Sequence, residues 1–234
     1  MATTIRIFKW IVTSITALIV MAILVYSFLV MSFDTENLPE NHGSVDAQLF
    51  LGDGDNQPLI VGLGGSEGGN AWAHRYWADQ RDVFISEGYA FLAIGYFGME
   101  GTPKELDRIS LDAVHQAIVD ASSDPKVNSQ CIALIGGSKG AELALLLASE
   151  YSDIKAVVAM VPGNAVFAAL TIAMNTPSFS LRGEPLEFVP VPWSATPDLI
   201  KGDLRAAWLH MLENEDAMNG AAIQVENING PRLF

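Results

Sequence analysis

A chain of 234 residues, half of them hydrophobic, has room for one domain with a full core. Its formal net charge of −14, with no grouped Lys and Arg anywhere, excludes phosphate neutralisation, so nucleic acid is not an expected partner. A single cysteine, Cys131, excludes an internal disulfide and any cysteine-built metal site; neither a metal nor a cofactor is expected. Lying within an apolar run, Cys131 reads as a small buried hydrophobe.

The hydrophobic excess is concentrated at the start. Ile11–Met31 carries no charged residue, and at about 1.5 Å per residue it is long enough to cross a hydrocarbon core of about 30 Å. A cleaved signal peptide has a shorter apolar region followed by small residues, whereas this run ends in Leu29, Val30 and Met31 with no A-x-A pattern. The expectation is one uncleaved transmembrane helix, with the lipid bilayer as partner for residues 11–31. Arg6 and Lys9 precede the span, and Asp34, Glu36 and Glu40 follow it. That bias puts the N-terminus in the cytoplasm and the body outside.

The expected domains are an anchor over 1–33, a polar linker over 34–44 containing Pro39 and Gly43, and a catalytic-type domain over 45–234. In that domain strand and helix signals alternate. Asp46–Leu51 reads as an edge strand, Pro58–Leu63 as a buried strand, Ala71–Glu87 as a helix and Tyr89–Gly95 as a strand. Leu111–Ala121 reads as a helix, Cys131–Ile135 as a strand, Lys139–Glu150 as a helix and Ile154–Val161 as a strand. Strands that are unbroken apolar runs with helices between them predict an α/β fold with a mostly parallel sheet covered on both faces. The proline-rich stretch from Pro162 predicts an excursion over residues 162–216, acting as a cap. Within it Asp203–Asp216 reads as an amphipathic helix with Leu204, Trp208, Met211 and Leu212 on one face. Gly230–Phe234 reads as a strand beginning.

Gly136-Gly137-Ser138-Lys139-Gly140 fits G-x-S-x-G, with an apolar strand leading in and an Ala/Leu-rich helix leading out. That context is what a nucleophile elbow requires, and Ser138 is the candidate catalytic residue. A strained nucleophile needs neighbours without bulk two residues to either side, which Gly136 and Gly140 supply. The helix N-terminus then faces the negative charge that develops on the attacked carbonyl. Gly64-Gly65-Ser66-Glu67-Gly68-Gly69, directly after the first buried strand, is the second element. The backbone N–H of Lys139 and one from Gly65 or Ser66 are the candidate oxyanion donors. The loop lacks the spacing of a phosphate-binding P-loop or of G-x-G-x-x-G. The Lys139 side chain is expected to point into solvent.

Leu63–Gly69, Gly-Tyr-Phe-Gly at 95–98, Ile-Ser-Leu-Asp at 109–112 and Gly-Gly-Ser-Lys-Gly-Ala-Glu-Leu at 136–143 together resemble the C-terminal hydrolase domain of acyl-CoA thioesterases and bile acid-CoA:amino acid N-acyltransferases. The resemblance covers about residues 45–234, and dienelactone hydrolases are a neighbouring likeness. It implies an α/β-hydrolase fold, and attack by Ser138 on a small-molecule acyl thioester or ester. The acyl-enzyme would then pass to water or an amine. Members carry Cys or Ser as the nucleophile. The two-domain members place a β-sandwich ahead of this domain, for which no segment is seen here. A body outside the membrane would also be separated from cytosolic CoA, which favours an ester or lactone as the alternative substrate.

Serine attack needs a general base, and in this fold the order along the chain is Ser, acid, His. After Ser138 the histidine is His210, which lies off the apolar face of its predicted helix and reads as solvated. His74 and His115 read as helix residues without a catalytic role, and His42 falls in the linker. The acid and the histidine are therefore expected beyond residue 234. On that reading the fold is C-terminally incomplete, with an unprotected sheet edge and negligible turnover, and the chain could be a non-catalytic relic that keeps only the binding pocket.

Overall fold

The computed structural model describes residues 2–234, with side chains from Arg6 onward. It comprises two compact units, the residues up to Asn37 and Leu38–Phe234. The first is built on one helix, α1 (Ala2–Met31). Its stretch Arg6–Met31 is long and apolar enough to cross a membrane, and none of it is buried against protein. A signal sequence meets the same criterion of length and composition. The hydroxyls of Thr13 and Thr16 donate to the carbonyls of Lys9 and Val12 one turn back, so they ask nothing of the surroundings.

The second unit carries strands β1 (Asp46–Phe50), β2 (Gln57–Leu63), β3 (Ala90–Gly95), β4 (Ile109–Ser110), β5 (Val127–Gly137), β6 (Ile154–Met160), β7 (Phe179–Leu181), β8 (Glu184–Pro185) and β9 (Arg232–Leu233). Its helices are α2 (Ala78–Ser86), α3 (Leu111–Ser122), α4 (Lys139–Glu150), α5 (Thr196–Lys201), α6 (Leu204–Leu212) and α7 (Glu215–Gly220). The main sheet runs β1-β3-β2-β5-β6-β9, and β4-β7-β8 form a small second sheet. In the main sheet only β1 is antiparallel to its neighbour.

The alternation of side chains along each strand divides the core between the two faces. Leu59, Val61, Leu63, Leu92 and Ile94 pack with Val114 and Ile118 of α3 and with Leu143 and Leu147 of α4. Ile60, Phe91 and Ala93 pack on the opposite face with Trp72 and Phe84. Burial on both faces is why β2 and β3 are unbroken apolar runs in the sequence. With strand–turn–helix units wound around a mostly parallel sheet, this is the α/β-hydrolase fold.

Four local expectations are corrected. The helix expected from Ala71 becomes a turn, a 3-10 turn at Arg75–Trp77, and then α2. The Asn70 side chain holds that turn: its amide donates to Asp46 and to the Ala93 carbonyl, while its oxygen accepts the Ala73 N–H. His74 accordingly caps the 3-10 turn, its Nδ1 accepting the Tyr76 N–H. Strand β5 begins at Val127, and Cys131 is exposed rather than buried. The pairing with β2 passes from Asn128 directly to Ile132, so residues 129–131 bulge out of that ladder and are exposed. The single helix expected over Asp203–Asp216 is two, because Asn214 caps α7 by accepting the Ala217 N–H.

Helix α4 lies unusually close to the sheet at its first turn. A Cβ on Gly140 would stand 2.7 Å from the Leu63 carbonyl oxygen and closer still to that of Gly64. A Cβ on Gly136 would stand 2.8 Å from the Ala141 nitrogen and closer still to the Gly140 carbonyl. These neighbours are backbone and cannot rotate away. Gly140→Ala is therefore expected to cost about 3 kcal/mol as α4 is pushed off β2, read as a fall in the urea midpoint. An unchanged midpoint would show that the approach is not under this constraint.

Candidate active site

Strand β5 delivers the chain to Ser138 and α4 leaves at Lys139. Ser138 itself has φ 52° and ψ −118°, a left-handed conformation rare for a residue with a Cβ. Its N–H donates to the Met160 carbonyl at the end of β6 at 3.0 Å, and its carbonyl accepts from Ala141 and Glu142. The turn is thus held from both sides while the Ser138 side chain reaches a cavity.

That cavity has a volume of about 700 Å³. Ser66, Ser138, Lys139 and Glu142 lie on its polar side. Phe167, Leu170, Leu204, Trp208, Met211 and Leu212 are part of an extensive apolar wall. The α6 face expected from its periodicity, Leu204, Trp208, Met211 and Leu212, is therefore the face turned to this space. Phe167 and Trp208 meet edge to face with centroids 4.4 Å apart. A second hollow of about 580 Å³, between β1 and α3, lies away from Ser138.

Lys139 is the first residue of α4, so its N–H has no acceptor within the helix. Gly65 lies across from Ser138, but its N–H already donates to the Glu67 carboxylate at 3.0 Å. Ser66 is the loop residue that lines the cavity. Tyr96 fixes this loop from below, its hydroxyl donating to the Gly64 carbonyl at 2.6 Å. Burial, reinforced by Glu67 and Glu142, pushes the Tyr96 phenol far above its ordinary pKa, so it remains a donor.

The Lys139 side chain does not point into solvent. It is buried, with Nζ 3.0 Å from Glu142 Oε2 and 2.8 Å from Ser178 Oγ. Glu142 sits one turn along α4, also buried, and its Oε1 accepts the Phe167 N–H at 3.1 Å. Burial pushes the Lys139 pKa down and the Glu142 pKa up, and each charge opposes the shift of the other. The sequence reading missed Glu142; a carboxylate three positions after a lysine in an otherwise apolar helix was its signal.

None of the four histidines lines this cavity. His210 is half-buried on α6 rather than fully solvated, with Nε2 3.3 Å from Asp198 and Nδ1 3.7 Å from Glu213. His115 stacks on Tyr151 at 3.7 Å and binds Asp153 at 2.9 Å. His74 is the cap already described, and the carbonyl of His42 accepts the Ser110 N–H. Among the described residues, no group of three or more His, Cys, Asp or Glu is arranged to hold a metal ion.

Comparison with known proteins shows the family. The family described as BAAT / Acyl-CoA thioester hydrolase C terminal matches residues 110–234, more than half of the chain. The chain is 31% identical over 207 residues to acyl-coenzyme A thioesterase 6 of Mus musculus, covering 87% of this chain and 45% of that protein. It is 29% identical over 194 residues to acyl-coenzyme A amino acid N-acyltransferase 2 of Rattus norvegicus, covering 82% of this chain and 43% of that protein. The chain thus spans less than half the length of these relatives. Among solved structures, ferulic acid-bound Est1E from Butyrivibrio proteoclasticus is similar with a TM-score of 0.42 and 23% identity, over 50% of this chain and 49% of that one. With a family match over more than half of its length, the chain belongs to the BAAT / acyl-CoA thioester hydrolase C-terminal family.

Proposed function

We propose that this domain performs acyl transfer from a thioester, with Ser138 as nucleophile. The observation that carries the reading is a serine at φ 52°, at the start of a helix, opening into a largely apolar cavity. Ser138 Oγ attacks the acyl carbonyl and gives up its proton, and the carbonyl oxygen becomes an oxyanion facing the N–H groups of Lys139 and Ser66. Gly65 can add its N–H only by releasing Glu67. Collapse expels the thiolate, which takes up the proton that Ser138 gave up, and leaves an acyl-enzyme. Water then gives the acid, or an amine gives the amide. The apolar wall suits the hydrocarbon part of the acyl group, and the family match favours a thioester over other acyl donors.

The base is the unfilled role. No histidine reaches the cavity, and the Glu142 carboxylate is occupied by Lys139 and Phe167. Slow labelling and negligible turnover are the expected behaviour of the 234-residue chain. The full chain should be treated with a fluorophosphonate and digested, with Ser138→Ala alongside. Labelling confined to Ser138, and absent from the alanine variant, is expected. Turnover that survives Ser138→Ala would overturn the assignment, and complete inertness of Ser138 would favour a binding domain.

We also propose that residues 11–31 anchor the chain in a bilayer, the N-terminus cytoplasmic and residues 45–234 outside. Arg6 and Lys9 before the span, and the carboxylates after it, support this orientation. An extracytoplasmic body favours a second reading, a carboxylesterase or lactone hydrolase, and rates on acyl-CoA and aryl esters separate the two. The full chain is expected to resist alkaline carbonate extraction, while a chain lacking residues 1–33 is released. A mature N-terminus found after Met31 would replace the anchor with a cleaved signal sequence.

A further inference from the structure

The acyl-transfer chemistry uses the backbone of Lys139 but neither charged side chain beside Ser138. The ammonium of Lys139 reaches Glu142 at 3.0 and 3.2 Å, Ser178 Oγ at 2.8 Å and the Phe167 carbonyl at 3.4 Å. Glu142 Oε1 accepts the Phe167 N–H at 3.1 Å. Both backbone polar groups of Phe167 thus end on the pair. Ser178 also reaches the Phe167 and Ala168 carbonyls, each at 3.0 Å, closing the network on a second segment of the excursion.

Two buried charges gain little net stability over an apolar pair of the same volume. What they add is direction, since an apolar pair could not hold one particular N–H and one particular C=O. The residue they hold is Phe167, whose ring packs on Trp208 of α6, and both rings line the cavity. A continuous set of contacts therefore runs from the first turn of α4, through Phe167, to the helix forming the far wall.

We propose that Lys139 and Glu142 are positioning residues that latch the 162–216 excursion onto the nucleophile helix, and so set the wall that the distal part of the acyl chain meets. The pair thereby governs chain-length preference. It rests on the acyl-thioester reading of the cavity. In this role the side chains touch neither the acyl carbonyl nor the leaving thiol; they act through Phe167 and Trp208.

The test is a double variant, K139M/E142L, which removes both charges at similar volume and leaves no lone buried charge. It is made in the full chain, held in amphipol, and on a Ser138→Ala background that prevents turnover. Calorimetry compares S-butyl- and S-octyl-coenzyme A, thioethers that cannot be cleaved, with titrations into empty amphipol subtracted. The octyl-to-butyl affinity ratio is expected to fall about tenfold from that of the parent that keeps Lys139 and Glu142, equivalent to losing the burial of about two methylenes. E142Q, which keeps an acceptor for the Phe167 N–H, is expected to recover most of the ratio. An unchanged ratio in a folded double variant overturns the proposal. Should the double variant not fold, Ser178→Ala decides: a fall of about fourfold, one methylene's worth, supports the latch, and no fall overturns it. If neither thioether binds the parent chain, the thioester reading falls separately. Limited proteolysis within 162–212 then decides the latch: faster cleavage in the double variant supports it, and an equal rate overturns it.

Discussion

The approach of α4 to the sheet at Gly136, Ser138 and Gly140 is the constraint around which the second unit is organised. Backbone meets backbone there, with Gly140 against the carbonyls of Leu63 and Gly64, and there is no side chain to rotate away. Ser138 takes the left-handed conformation that the turn demands, in a setting where the Met160 carbonyl and the helix N–H groups hold it on both sides. The same approach sets the glycine loop after β2 beside the serine. One packing decision therefore places the candidate nucleophile, the helix N-terminus and the second donor loop together.

The excursion over 162–216 is attached to this centre by buried polar contacts as well as by hydrophobic packing. Lys139 and Glu142 take the backbone of Phe167. Further from the serine, Asp107 and Arg108 form a second buried pair, with Thr176 donating to Asp107 and Ser180 to the Arg108 carbonyl. Segments with little regular secondary structure carry many backbone groups that need partners, and charged side chains from the body supply some of them. Among the described residues, no buried side-chain nitrogen or oxygen lacks a partner.

The groups around the serine are unevenly engaged. The exposed Ser138, the first N–H of α4 and a largely apolar cavity lie close together. The carboxylates nearest the serine are committed: Glu142 to Lys139 and Phe167, Glu67 to Gly65. The histidines are committed too, His115 to Asp153 and His210 to Asp198 and Glu213.

Much of the architecture was legible in the sequence because its signals are local. Doubly buried strands such as β3 must be continuous apolar runs, a nucleophile turn must have small residues two positions either side, and a helix facing a cavity must carry a stripe such as Leu204, Trp208, Met211 and Leu212. Element boundaries that depend on a distant partner were not legible. The late start of α2 depends on Asn70 reaching Asp46 and Ala93, and the exposure of Cys131 depends on where β5 bulges from its pairing with β2. The direction of the Lys139 side chain was the largest difference, because the acceptors that draw it inward, Phe167 and Ser178, come from a segment far along the chain. By itself the sequence determined the α/β alternation, the apolar N-terminal helix and the serine turn, since each follows from the spacing of neighbouring residues. Only the tertiary structure decided which charges are buried, that the Gly65 N–H is taken by Glu67 and what walls the cavity, because those depend on groups that folding alone brings together.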